Sequence, residues 1–160
     1  MYIYLLRHGD APFDSSCGER SLSTQGKVET RQIIEQHIES LSKLDLIVCS
    51  PVLRARQTLQ IVTETLRYSG ELLFENALRS ESSVRALEHC VDALLASHST
   101  EHILLLGHQP LIGQILEYLT DETGLAWSMG TSALAVLDTS VFGPSIFGQG
   151  CAELKSLSQP

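Results

Sequence analysis

Tyr2-Ile3-Tyr4-Leu5-Leu6-Arg7-His8-Gly9-Asp10 is a short apolar run that stops on two basic residues, a glycine and a carboxylate. Tyr2–Leu6 is far too short to span a membrane, and its aromatic and β-branched residues favour a strand. It is apolar on both faces, which suits a strand in a sheet that helices cover from both sides. Three further runs have the same character: Asp45–Cys49, His102–Leu106 ending at Gly107, and Ala133–Leu137 after Thr131-Ser132.

Helical periodicity fills the intervals. Ile34, Ile38 and Leu41 share one face behind Ser23 or Thr24 as cap. Ala55, Leu59, Val62 and Leu66 follow Ser50-Pro51, which reads as an N-cap and a proline at the first helical position. Val84, Leu87, Val91 and Leu94 form a third stripe, and Leu111, Ile115 and Leu119 a fourth. Strands alternating with helices predict an α/β fold, a three-layer α/β/α sandwich with a largely parallel sheet. Beyond Leu137 the signals weaken: Phe142-Gly143-Pro144 and Gly148–Gly150 read as turns, and Phe147–Leu154 as a short edge strand. At 160 residues the chain is expected to be one domain, residues 1–160.

In an open parallel sheet, ligands bind beyond the carboxyl ends of the strands. Those ends carry Arg7-His8-Gly9, Ser50-Pro51 leading to Arg54, and Gly107-His108. Two arginines and two histidines are thereby expected at one sheet edge. A guanidinium can donate two parallel hydrogen bonds to a pair of phosphoryl oxygens. Arg54 falls in a first helical turn, where the helix end also favours an anion. Neutral histidine can attack phosphorus, or donate a hydrogen bond to a phosphoryl oxygen.

Four ordered motifs carry a resemblance. They are Leu6-Arg7-His8-Gly9, Leu22-Ser23-Thr24-Gln25-Gly26, Ser50-Pro51-Val52-Leu53-Arg54-Ala55-Arg56-Gln57-Thr58 and Leu106-Gly107-His108. The sequence resembles the histidine phosphatase, or phosphoglycerate-mutase-like, superfamily. The resemblance implies that His8 becomes a transient phosphohistidine. It also implies that Arg7 and Arg54 hold the phosphoryl oxygens, that His108 donates to them, and that water then releases phosphate. It implies no metal and no cofactor, since these side chains supply the stabilisation that Mg²⁺ provides elsewhere.

Within the superfamily the chain is similar to the short SixA-type protein phosphohistidine phosphatases. Arg7-His8-Gly9-Asp10-Ala11 with Arg20, and Thr131-Ser132-Ala133 before a late strand, carry that similarity. The stretch from Leu59 to Glu101 is expected to hold one helix and little else, without the large cap insertion of sugar-phosphate mutases. A site left open in this way suits a protein substrate. The expected partner is a phosphohistidine-containing protein, such as the phosphotransfer domain of a phosphorelay.

Phosphate-ester members of the superfamily usually offer a carboxylate that protonates the leaving oxygen. Here Glu81, within Leu78-Arg79-Ser80-Glu81-Ser82-Ser83, stands near the expected place in surroundings that do not match the usual motif. It reads as a possible general acid or as a solvated loop residue. An imidazole is easier to expel than an alkoxide, its nitrogen having an unperturbed pKa of about 6.5, which favours a phosphohistidine substrate. Two alternatives remain open: a small-molecule phosphomonoesterase with the same site, and a catalytically silent phosphoprotein-binding module.

Other residues have bland readings beside functional ones. Arg20 is a phosphate or partner contact, or a surface ion pair. Asp10 orients a ligand group or forms the turn after Gly9. His98 and His102 straddle a loop and a strand start, so no metal site is expected there. His37, His89 and Arg56 read as ordinary helix residues, and Trp127 as packing or substrate rim.

The formal net charge of −8 argues against a nucleic-acid partner and requires positive charge to be concentrated locally if phosphate is handled. No apolar stretch approaches membrane-spanning length, and the opening run lacks the flanks of a signal peptide. Cys17, Cys49, Cys90 and Cys151 form no Cys-x-x-Cys pair and read as reduced thiols, so the expected compartment is the cytoplasm.

Overall fold

The computed structural model describes residues 1–13, 18–140 and 147–160. Six strands form one sheet: β1 (Tyr2–Arg7), β2 (Leu46–Cys49), β3 (Glu71–Phe74), β4 (His102–Gly107), β5 (Leu134–Asp138) and β6 (Glu153–Ser158), in the order β3-β2-β4-β1-β5-β6. The first four are mutually parallel; β5 runs antiparallel to β1, and β6 antiparallel to β5.

Helices α1 (Thr24–Gln36), α2 (Ile38–Leu41), α3 (Leu53–Leu66), α4 (Val84–Ser97) and α5 (Leu111–Thr120) cover the sheet. The period-two alternation of the central strands sorts their side chains between two cores. Ile3, Leu5, Ile103 and Leu105 pack with Leu87 and Val91 of α4 and the apolar stripe of α5. Tyr4, Leu6, Leu104 and Leu106 pack with Ile33 and Ile34 of α1 and Ala55, Leu59 and Val62 of α3. The arrangement is the three-layer α/β/α sandwich with a mainly parallel sheet that the sequence predicts.

Several local expectations are corrected. The stripe Ile34, Ile38, Leu41 does not belong to one helix: the chain breaks at His37, with φ −111° and ψ 16°, and Ile38 is exposed. Ser50 is not the cap of α3, which begins at Leu53 behind an extended Val52. The stretch from Leu59 to Glu101 holds the rest of α3, strand β3, a 3-10 turn at Asn76–Leu78 and α4. The edge strand lies at Glu153–Ser158 rather than Phe147–Leu154. Of the two late turns, Gly148–Gly150 is present, and Phe142-Gly143-Pro144 lies outside the described residues.

Candidate active site

Strands β1, β4 and β2 end at one level because their register is continuous, with Arg7 opposite Gly107 and Cys49 opposite Leu106. Backbone bonds carry the alignment one residue further, from His8 N–H to the Gly107 carbonyl at 3.1 Å and from Ser50 N–H to the Leu106 carbonyl at 2.9 Å. The sheet thus delivers Arg7 and His8, Ser50, and His108 to one edge. The rings of His8 and His108 lie 4.9 Å apart, tilted by 53°.

The hydrogen bonds of His8 define its protonation. Its Nδ1 lies 2.7 Å from the carbonyl oxygen of Gly9, which can only accept, so Nδ1 carries the hydrogen and Nε2 keeps its lone pair. Arg54, in the first turn of α3, donates its Nε hydrogen to that Nε2 at 3.1 Å. Burial, only partly offset by the bond to Gly9 and reinforced by His108, Arg54 and Arg7, pushes the His8 pKa down to about 3. At neutral pH His8 is an uncharged imidazole.

His108 is tied to Ser50 by a 2.8 Å contact between Nε2 and the hydroxyl. The Ser50 hydroxyl in turn accepts from Val52 N–H, so its own hydrogen is free for Nε2, leaving Nδ1 of His108 protonated. Burial, then the positive charge of Arg54 and Arg7, lowers the His108 pKa to about 4. This explains where Ser50 spends its hydroxyl: fully buried, it orients a histidine instead of capping a helix.

Arg7 donates from Nη1 to the Met129 carbonyl at 2.9 Å. Burial lowers the pKa of both Arg7 and Arg54, which stay cationic at neutral pH. Two polar atoms at this edge, Arg7 Nε and His108 Nδ1, are buried without a partner. A buried donor left unmade costs on the order of 1–3 kcal/mol. These two donors, one of them on the Arg7 guanidinium itself, together with the Arg54 guanidinium fit an anion with several acceptor oxygens.

The loop carrying His8 is fixed by close backbone approach. A Cβ on Gly26 would stand 2.6 Å from Asp10 N and collide with Asp10 O as well; one on Gly9 would stand 2.7 Å from Thr30 Oγ1. Gly9 N–H donates to Thr58 Oγ1 at 3.1 Å, linking the loop to α3. Asp10 accepts from the Ser23 hydroxyl at 2.6 Å while Ser23 caps α1, so its carboxylate builds the loop.

Arg20 donates from Nε to the Ala11 carbonyl at 2.7 Å and from Nη2 to the same oxygen. Its charge still bears on Arg7, Arg54 and His108. Glu81 is exposed, accepts from the Ser80 hydroxyl at 3.0 Å and stands 3.8 Å from Arg79. Its own backbone N–H and Ser80 hold its pKa below the ordinary value, a direction that favours the ionised form. His98 contacts Glu71 at 3.1 Å, and His102 takes the Tyr4 hydroxyl at 3.1 Å and stacks on Tyr2, so the two have separate partners. His37 meets the Ser158 hydroxyl. Sequence reasoning missed Met129 and Gln109, which shape the wall beside Arg7; Gln109 follows His108 directly, and that adjacency was the available signal.

Two arginines and two histidines thus meet at the carboxyl edge of a mainly parallel sheet. Residues 3–80 match the family model for the histidine phosphatase superfamily (branch 1). The chain is 30% identical over 144 residues to phosphohistidine phosphatase SixA of Escherichia coli (strain K12), covering 88% of each chain. It is 28% identical over 130 residues to a phosphohistidine phosphatase SixA homolog of Haemophilus influenzae, covering 74% of this chain and 77% of that one. Among solved structures, a protein histidine phosphatase SixA complexed with tungstate superposes with a TM-score of 0.82 at 24% identity, over 99% of this chain and 97% of that one. This chain belongs to the histidine phosphatase superfamily.

Proposed function

We propose that the chain is a metal-independent phosphohistidine phosphatase that transfers the phosphoryl group of a phosphohistidine-containing protein to His8 and then to water. The observation that carries this reading is the fixed state of His8, with its proton on Nδ1 against Gly9 and its Nε2 lone pair toward Arg54. In the first step Nε2 forms a bond to phosphorus as the bond from phosphorus to the partner's imidazole breaks. Arg7 and Arg54 bind the phosphoryl oxygens, and His108 donates to one of them from Nδ1. Preorganised donors of this kind are worth far more in a dry site than in water.

The leaving group makes the chemistry nearly symmetric. A phosphoimidazole protonated on its far nitrogen departs as neutral imidazole and takes no proton from the enzyme. Phospho-His8, with Nδ1–H held by the Gly9 carbonyl, forms in that same expellable state. Water then attacks phosphorus, His8 leaves as neutral imidazole, and inorganic phosphate is released. No step calls on Glu81, in keeping with its exposed, readily ionised carboxylate. Ester hydrolysis, by contrast, needs an acid for the departing alkoxide.

A protein substrate is further favoured by what lies over the sheet edge: between α3 and α4 the chain forms only β3 and a 3-10 turn. The expected partner is a phosphotransfer domain, the expected setting the cytoplasm. No helix among the described residues is long and apolar enough to cross a membrane. The test is phosphate release in EDTA from a purified phosphohistidine-carrying phosphotransfer domain and from a panel of small phosphate esters, by wild type and His8→Ala. Rapid His8-dependent release from the protein with feeble ester turnover is expected. Strong ester turnover with an inert phosphoprotein would overturn the substrate assignment.

A further inference from the structure

Trp127 is the sole tryptophan of the sequence, and it is 91% exposed on the 3-10 turn Ala126–Ser128. Tryptophan carries one of the largest apolar surfaces of any side chain, and its exposure wastes the gain that burial would bring. The turn that displays it is well anchored. Glu117 accepts from Gly124 N–H at 2.6 Å and from Ala126 N–H at 3.1 Å. Gln109 donates to the carbonyls of Ala126 at 2.7 Å and Met129 at 3.0 Å, while its own oxygen accepts from Gly113 N–H. Backbone on both sides of Trp127 is therefore pinned to α5 and to the residue after His108.

The indole walls a cleft of about 470 Å³, whose lining includes Gln109, Pro110, Met129 and Arg7. Arg7 belongs both to this cleft and to the phosphoryl-binding edge, and its Nη1 bonds the same Met129 carbonyl that Gln109 holds. A phosphoryl group gripped by Arg7 brings its carrier next to the cleft. Arg20 and Arg79 also place positive charge near His108 in a chain of net charge −8. An aromatic anchor set rigidly beside a charged centre is the usual composition of a binding hot spot.

We infer that the Trp127 cleft is the docking site for the phosphohistidine-bearing protein, and that it takes an apolar side chain flanking the phosphohistidine. This rests on the phosphohistidine reading above. The cleft selects the macromolecule, while the His8 edge performs the chemistry on any phosphohistidine that reaches it.

Trp127→Ala and Trp127→Glu test the inference against wild type, on a purified phosphohistidine-bearing phosphotransfer domain and on free phosphohistidine. The ratio of kcat/KM for the phosphoprotein to that for free phosphohistidine is expected to fall at least about tenfold in both variants. A second reading uses the lone tryptophan as its own reporter. Adding the phosphorylated domain to the His8→Ala protein should shift its fluorescence to the blue as the indole leaves water. An unchanged ratio, or an emission spectrum that does not move, overturns the docking site while leaving the chemistry intact. Wild type inert toward both phosphohistidine substrates overturns the reading of the site itself, and the docking site falls with it.

Discussion

Arg54 donates its Nε hydrogen to Nε2 of His8 at 3.1 Å, so the lone pair that would attack phosphorus is engaged by a cation in the resting site. The contact aims the ring, and the charge of Arg54 adds to the burial that keeps His8 unprotonated. In the proposed mechanism an arriving phosphoryl group competes for the same guanidinium, and the bond to Nε2 is released as the oxygens are gripped. Arg54→Gln removes both functions. We expect kcat/KM to fall by about 10²–10³-fold, the size of loss seen when a preorganised oxyanion donor is deleted. Steady-state phosphate release checks this, and a loss below about threefold would contradict the assigned role.

Ser50→Ala leaves His108 Nε2 without its 2.8 Å partner. The ring can then place its proton on either nitrogen, and the tautomer with an acceptor facing the phosphoryl oxygens becomes populated. The expected loss is in kcat, up to about tenfold, the worth of one neutral hydrogen bond. The KM for substrate should change less than kcat. A variant with unaltered kcat would show that Ser50 does not set the state of His108.

Protonation follows from burial. His8, at about 3, and His108, at about 4, both lie well below the ordinary 6.5, so the free enzyme should keep its nucleophile through mildly acid conditions. Imidazole resonances followed by NMR from pH 8 to 5 should show both rings neutral. His98, raised by the Leu94 carbonyl and Glu71, titrates above 6.5 in the same spectra.

The same shifts tie stability to pH. A histidine whose folded pKa is depressed binds protons more readily in the unfolded chain, so its stability contribution is full above pH 6.5 and is lost as pH falls toward 3–4. Between pH 7 and 5 each of the two rings costs about 2 kcal/mol. Urea denaturation should show that loss in wild type and a shallower one in His8→Asn.

Gly26→Ala drives a Cβ against the backbone of Asp10, with Asp10 N at 2.6 Å. Backbone cannot rotate away as a side chain can, so the loop bearing His8 must shift. We expect destabilisation of about 3 kcal/mol together with loss of activity. An urea midpoint equal to wild type would mean that α1 and the loop are less tightly joined than this geometry requires.

The chemistry-bearing part of the fold was legible because β1, β2 and β4 are apolar on both faces and end abruptly on Arg7-His8, Ser50 and Gly107-His108. Parallel pairing alone then brings those residues together. Strand β3 was missed because it has four residues at the sheet edge, with Leu72 and Leu73 only half-buried. Strand β6 was misplaced because its pairing with β5 is irregular: Leu137 faces Leu154 and Ala135 faces Leu157. Two leucines three apart share one face only when a bulge breaks the period of two, and no alternation survives to be read. The sequence suggests a helix cap for the Ser50 hydroxyl because its partner, His108, lies 58 positions away and is brought near only by the β2–β4 pairing.

In the proposed reaction the phosphoryl group passes through His8. The direct measurement is rapid mixing of the enzyme with a phosphohistidine-bearing phosphotransfer domain, quenching in alkali, and peptide mass mapping of the enzyme. One acid-labile, alkali-stable phosphoryl group is expected on the peptide that contains His8, forming and decaying at rates compatible with turnover and absent from His8→Ala. Turnover at full rate with no phosphorylated His8 peptide at any time would contradict it.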